Sequence, residues 1–293
     1  MPEGSTTMPV ARPEIDAGPP VAARVTDVAR TLSLAERVAN LGWLRRLAIL
    51  GLLACAWEAY GRYLDNPLLL PTFGETLAAL WAATVDGSLP RRLWGSLEVL
   101  LVGYACGLAL AGLLSSFAVS SRMGGDLLAT LTSIFNPLPA IALLPLSMLW
   151  FGLGTPSLVF VIVHSVLWPV ALNTQTGFLA VSETQRMAGR NYGLRGFGYV
   201  WRILVPAAFP SILAGLKIGW AFAWRTLIAA ELVFGVASRT GGLGWFIFEH
   251  RNELQTDYVF AGLMTVVLIG LFVEEVVFRT IQQHTVVRWG LQR

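Results

Sequence analysis

Six apolar runs, each near the length a helix needs to cross a bilayer, constrain this chain more than any motif in it; they lie near residues 44–60, 97–119, 127–150, 157–178, 208–236 and 257–280. A hydrocarbon core about 30 Å thick takes roughly 20 apolar residues in a helix. Only 13% of the 293 residues are charged and 55% are apolar, whereas a soluble domain carries about 25% charge. The chain is therefore read as an all-α integral membrane protein. The first run is the weakest, because Trp57, Glu58 and Tyr60 crowd its end.

Residues 1–43, with Pro9, Pro13, Pro19 and Pro20 among scattered charges, lack the short basic start and apolar core of a signal peptide. They read as a disordered cytoplasmic tail ending in an amphipathic turn from Val28 to Leu41. The membrane domain follows over 44–285, and 286–293 form a second tail. Cys55 and Cys106 fall inside apolar runs without a metal-ligand neighbour, so buried thiols are expected and not a disulfide framework.

Arginines at membrane ends set orientation. With six crossings, one side holds Arg45, Arg46, Arg122, the loop with Arg186, Arg190, Arg195 and Arg202, and the tail with Arg279 and Arg288. On the other side Arg62, Arg91, Arg92, Arg239 and Arg251 are diluted by six acids, from Asp65 to Asp257. Both termini are expected in the cytoplasm. The basic residues flank spans and form no single face, which argues against nucleic-acid binding.

Between spans, a short interfacial helix is expected over Thr76 to Thr84, with Trp81 at headgroup level. From Ser238 to Thr256, a glycine turn at Gly241, Gly242 and Gly244 feeds either a shallow re-entrant helix or an interfacial loop. The third run carries Pro137, Pro139 and Pro145, so its helix must kink or break. Broken backbone at membrane depth is tolerated where protein buries it or it lines a water-filled cavity, which favours a pathway-lining helix.

The loop at 181–207 is the most structured soluble segment. Ser182 with Gln185 three residues on has the pattern of a capping box, and Gly193 follows where the helix should end. Phe197, Val200, Trp201 and Leu204 then recur at helical spacing, marking a second amphipathic helix closed by Pro206 and Pro210. Two short helices about a glycine could be a solvated surface pair or a knob for another protein to grip.

This loop resembles the cytoplasmic coupling loop of ABC importer permeases, whose pattern runs Glu-Ala-Ala, three residues, Gly, then a long spacing to an apolar residue and Pro. Ala188 matches the central Ala, and Gly193 and Val205-Pro206 sit at the expected separation. The Glu position holds Met187 and the last Ala position holds Gly189, while Glu183 lies out of register. The resemblance covers roughly residues 42–285 and is nearest the nitrate, sulfonate and taurine branch. It is carried also by Leu70-Pro71, by Asn136 to Pro145 with Trp150-Phe-Gly-Leu-Gly154, and by Ala229-Ala-Glu231. Gly241-Gly-Leu-Gly244 and Thr256 to Gly262 complete it.

The resemblance implies a type I importer fold with about six spans in the bacterial inner membrane. It further implies that two copies of the permease form the pathway, two cytoplasmic ATP-binding cassette subunits grip the loops, and an extracytoplasmic binding protein delivers a small anion. ATP and Mg would be used by the ATPase and not by this chain. The residues agree: a phosphate-cradling loop needs Gly-x-x-x-x-Gly-Lys-Ser/Thr, and the only lysine, Lys217, is followed by Ile218. The dispersed His164, His250 and His284 offer no metal-ligand spacing, and His164 reads as a packing residue. A membrane enzyme lacks a catalytic constellation, and a stand-alone secondary carrier or channel would show paired broken helices in its two halves.

Ionisable residues inside spans face a cavity or a partner. Lys217 is close enough to an end to snorkel. Arg225 lies midway along the fifth span and ~240° around the helix from Glu231, so they are not same-face partners. Arg225 either faces the translocation path or pairs with Glu274 or Glu275. The candidate pathway residues are Pro139, Pro145, Trp220, Trp224, Arg225 and Glu231; the candidate coupling residues are Met187, Ala188, Gly189, Gly193, Val205 and Pro206.

Overall fold

A computed structural model describes residues 42–234 and 241–288. The tail over 1–41, including the proposed turn from Val28 to Leu41, lies outside them, as do Ser238, Arg239 and residues 289–293. All regular structure among the described residues is helical. The helices are α1 Gly42–Leu64, α2 Phe73–Val85, α3 Ser88–Ser120, α4 Arg122–Phe135, α5 Leu144–Phe151 and α6 Thr155–Ala180. They continue with α7 Glu183–Asn191, α8 Gly196–Tyr199, α9 Val205–Phe234, α10 Leu243–Asn252, α11 Thr256–Phe272 and α12 Arg279–Gln282. The described residues divide into two units between Leu52 and Leu53. The described part of the first is the opening of α1, where Leu47, Ile49, Leu50 and Leu52 are exposed.

Among the described residues, four stretches are long and apolar enough to cross a membrane: Ser88–Ser120, Thr155–Ala180, Val200–Val233 and Thr256–Val287. Arg122–Phe135 and Ala140–Phe151, bent by 86° at their break, make a fifth if the pair is one span. The helix Gly42–Leu64 has spanning length at 23 residues, but Arg45, Arg46, Glu58 and Arg62 keep it out of the apolar set, in line with its weakness in the sequence.

The break in the third run falls at Pro137 and Pro139, between α4 and a 3₁₀ turn over Ala140–Leu143. Pro145 breaks nothing. It occupies the first turn of α5, where a missing N–H leaves no ladder bond unmade.

The span Thr155–Ala180 is the centre of the bundle, with 56% of its apolar window buried against 22% to 33% in the other three. Small residues bring its neighbours close. A Cβ on Gly103 would stand 2.6 Å from Ile162 Cγ2, and one on Gly215 2.8 Å from Asn173 Cβ. Lipid is as apolar as leucine, so such backbone approach, and not water exclusion, holds spans together.

The helix expected over Thr76 to Thr84 is α2, and it begins with a capping box: Thr72 Oγ1 accepts from the Glu75 N–H at 3.2 Å and Glu75 Oε2 accepts from the Thr72 N–H at 2.8 Å. The residues that weaken the first run hold this turn, since Trp57 Nε1 donates to the Pro71 carbonyl at 3.0 Å and Glu58 accepts from the Gly74 N–H at 2.9 Å. Before α3, the Ser88 backbone N–H holds the Asp86 carboxyl below its ordinary range.

Cys55 and Cys106 are free and exposed, not buried. On α3 the buried side carries Gly103 and Gly107, and Cys106 points away from it. The segment after Gly242 is a helix of ten residues with Leu243, Phe246 and Ile247 buried, so the plain interfacial loop is ruled out there.

Candidate functional site

Two features of the fold are suited to function: the knob over 181–207 and a cavity between the broken run, α6 and α9.

The knob starts where α6 ends. Ser182 Oγ accepts from the Gln185 N–H at 3.4 Å, capping α7. The reciprocal half of the predicted box is absent, because the Gln185 side chain meets the Ser182 hydroxyl, at 3.2 Å, in place of its backbone. Arg186 ties α7 to the preceding span. Its Nε donates to the Val181 carbonyl at 3.1 Å and its Nη2 to the Phe178 carbonyl at 2.6 Å. These are the carbonyls a helix C-terminus leaves unpaired, and a cation there also meets the negative end of the helix dipole.

Gly193 closes α7 in the left-handed region, at φ +73°. Its N–H bonds the Arg190 carbonyl at 2.9 Å and the Leu194 N–H bonds the Gly189 carbonyl at 3.1 Å, the paired bonds of a Schellman cap. The glycine is thus required by backbone, and not by space, for no heavy atom would lie within 4 Å of an added Cβ. Gly189 is the opposite case. It is buried, and a Cβ would stand 2.8 Å from Ile203 Cγ1 and 3.0 Å from Tyr199 Cε2. The glycine at the family's last Ala position therefore admits the second helix of the knob.

That second helix differs from its prediction. Pro206 and Pro210 do not close it: helix runs on from Gly196 to Phe234, with a π turn over Val200–Leu204. The Val205 N–H reaches back to the Val200 carbonyl, and the extra residue in this turn precedes Pro206, which has no N–H to give. The wider turn also shifts the apolar face. Leu204 is buried in a small core with Phe178, Val181 and Ala208, whereas Trp201 is 64% exposed. Exposed with it on the knob are Met187 at 53% and Tyr192 at 85%, together with Ala188. Val205 and Pro206 are half-buried at its base.

The cavity measures about 380 Å³ and is walled by residues 136–141 of the break, by His164, Ser165, Trp168 and Pro169 of α6, and by Phe222, Arg225, Thr226 and Ala229 of α9. Pro139 and Arg225 are thus the predicted pathway residues that reach it. Arg225 Nε donates to the Ala221 carbonyl at 3.0 Å, and its guanidinium lies 5.1 Å from the Phe222 ring centre. The ion pairs considered for it are taken: Glu274 meets Lys217 at 3.2 Å and Glu275 meets Arg279 at 2.8 Å. Among the described residues no carboxylate pairs with Arg225.

Pro145, Trp220, Trp224 and Glu231 do not line the cavity. Trp224 is buried and donates to the Val266 carbonyl at 3.2 Å, while Trp220 packs edge-on against Tyr104 at 5.4 Å. Glu231, 1% exposed, joins three elements. It accepts from Ser96 Oγ at 2.9 Å and from the Gly244 N–H at 2.8 Å, and the same Ser96 oxygen accepts from the Leu243 N–H at 2.7 Å. A carboxylate here serves the free N–H groups and positive dipole end of α10. The Gly-Gly-Leu-Gly run fits it, since a Cβ on Gly244 would stand 2.6 Å from Glu231 Cβ.

His164, which its sequence context assigns to packing, and Trp168 are cavity-wall residues whose three side-chain nitrogens have no partner among the described residues. The one sequence signal is a histidine and a tryptophan a turn apart in an apolar run.

Residues 103–282 match the family described as the binding-protein-dependent transport system inner membrane component. A putative ABC transporter permease of Methanocaldococcus jannaschii is 30% identical over 233 residues, 78% of this chain and 86% of that one. The taurine transport system permease protein of Escherichia coli is 31% identical over 229 residues, 76% and 82% of the two chains. The nitrate import permease protein of a Synechocystis species is 29% identical over 208 residues, 71% and 72%. With its helical fold, its spans and a match over most of its length, the chain belongs to the inner-membrane permease family of binding-protein-dependent ABC transport systems.

Proposed function

We propose that this chain forms, as a homodimer, the alternating-access pathway of an ABC importer for a small organic or inorganic anion such as a sulfonate, taurine or nitrate. Two cytoplasmic ATP-binding cassette subunits grip the knob at 181–207 and supply the power, and an extracytoplasmic binding protein delivers the cargo. Both termini face the cytoplasm of a bacterial inner membrane.

The observation that carries the anion reading is Arg225, an exposed guanidinium on the wall of a cavity among spans with no carboxylate beside it among the described residues. A cation within a membrane-spanning helix is costly without an anion or a polar partner, and the guanidinium fork suits oxyanions. The knob supports the ATPase: Met187, Tyr192 and Trp201 are exposed on a segment pinned to one span by Arg186 and continuous with the next. A lone carrier is disfavoured, since one bent pair of helices is present among the described residues. The test is ATP hydrolysis by the reconstituted complex, with its binding protein, on adding ethanesulfonate, taurine or nitrate. Arg225→Gln should abolish the stimulation with expression unchanged; full stimulation would remove Arg225 from the pathway.

A further inference from the structure

The cavity gathers nitrogen donors and contains no acid among the described residues. On the α9 wall Arg225 uses Nε on its own helix and keeps its charge unpaired among the described residues. On the α6 wall His164 and Trp168 stand four residues apart, Trp168 only 7% exposed, and neither the imidazole nitrogens nor the indole Nε1 meets a partner among the described residues. An indole N–H can only donate, and buried polar groups are so generally paired that an exception asks for an acceptor. Phe135, the last residue before the break, stacks on Trp168 at 5.2 Å and meets His164 edge-on at 6.3 Å. The ring packed on both of these side chains thus belongs to the broken run, at its bend. Leu138, Ile141 and Phe222 give the cavity an apolar side.

Taking the chain as the import pathway proposed above, we infer that the cavity is a cargo-binding site within the permease itself. Arg225 takes the charged oxygens of a monovalent oxyanion, and Trp168 and His164 add N–H donors from the α6 wall. A short alkyl tail lies against Leu138, Ile141 and Phe222. The chemistry of the walls also sets a preference. With no carboxylate in the lining among the described residues, an ammonium group finds no ion partner there, so a plain alkanesulfonate binds better than an aminosulfonate of the same size.

The test is equilibrium binding of ³⁵S-labelled ethanesulfonate to the permease–ATPase complex in nanodiscs, with the binding protein omitted. Saturable binding is expected, displaced by methanesulfonate, displaced about tenfold less well by taurine, and not displaced by the uncharged ethyl methyl sulfone. Arg225→Gln should weaken binding by about tenfold or more and Arg225→Lys by less, as expected for a charge-assisted bond. Trp168→Phe keeps the stack on Phe135 but removes one donor, and should weaken binding about three- to tenfold. Variants are compared at equal content of co-purified ATPase, which reports folding. The site is wrong if the wild-type complex hydrolyses ATP but binds no ethanesulfonate saturably, if taurine displaces as well as methanesulfonate, or if Trp168→Phe binds as tightly as wild type. Failure of the wild-type chain to hold an ATPase would instead overturn the import reading, and the site with it.

Discussion

Gly193→Val tests the claim that the knob is held in shape by one backbone angle. At φ +73° a residue with a Cβ costs about 1–2 kcal/mol, and a β-branched one is a still stronger outlier. Relaxing to negative φ would break the two cap bonds, from the Gly193 N–H to Arg190 and from the Leu194 N–H to Gly189, each worth about 0.5–1.5 kcal/mol net. By either route the native knob loses roughly 2 kcal/mol, which lowers its population relative to a relaxed form by a factor of about 30. Among the described residues no neighbour lies within 4 Å of the added Cβ, so the backbone angle is the constraint under test and Gly193→Asn, which tolerates the left-handed region, is the matched control. The assay is the amount of ATPase that co-purifies with a tagged permease, alongside membrane insertion of the permease alone. Valine should leave insertion intact and strip most of the ATPase, and asparagine should retain it. Full retention by valine would refute the reasoning, and equal loss with asparagine would move the constraint from the angle to close contact with the partner.

Removing the Glu231 side chain leaves the Gly244 N–H and the Ser96 hydroxyl without their acceptor. Glu231→Ala should therefore destabilise the permease by about 2–5 kcal/mol in thermal unfolding, and Glu231→Gln, which keeps an acceptor, by less; a melting temperature unchanged by alanine would contradict the joint described for it. Gly103→Val would drive new methyl groups into Ile162, already 2.6 Å from a first Cβ. The cost of such overpacking is about 1–3 kcal/mol, and Gly103→Val paired with Ile162→Ala should recover part of it on the same melting curve, whereas no recovery would place the strain elsewhere.

Much of the fold is legible in the sequence because some constraints act through the backbone. Runs of about 20 apolar residues locate the spans, Pro137 and Pro139 locate the break in the third run, and Gly193 announces a left-handed cap. Side-chain facing is harder to read. In a soluble helix polarity separates the inner face from the outer, but a span is apolar on both, so Cys55 and Cys106 read as buried when they face out. Trp224 and Arg225 are adjacent in sequence, yet 100° of helical rotation puts one in the core with Val266 and the other in the cavity. The π turn at Val200–Leu204 has no propensity signal and undoes the face predicted for Trp201. Glu231 looks like a pathway charge because an acid in a span usually is one; its partners, Ser96 and Gly244, come from elements 135 and 13 residues away. The unpartnered nitrogens of His164 and Trp168 become visible only when the other elements are in place.

The most direct test of ATP-driven import is uptake of labelled ethanesulfonate into proteoliposomes that hold the complex, with the binding protein added outside. Uptake should require ATP on the ATPase side and stop when the ATPase or the binding protein is left out. Uptake by the permease alone, driven by an ion gradient without ATP, would contradict it and make the chain a secondary carrier.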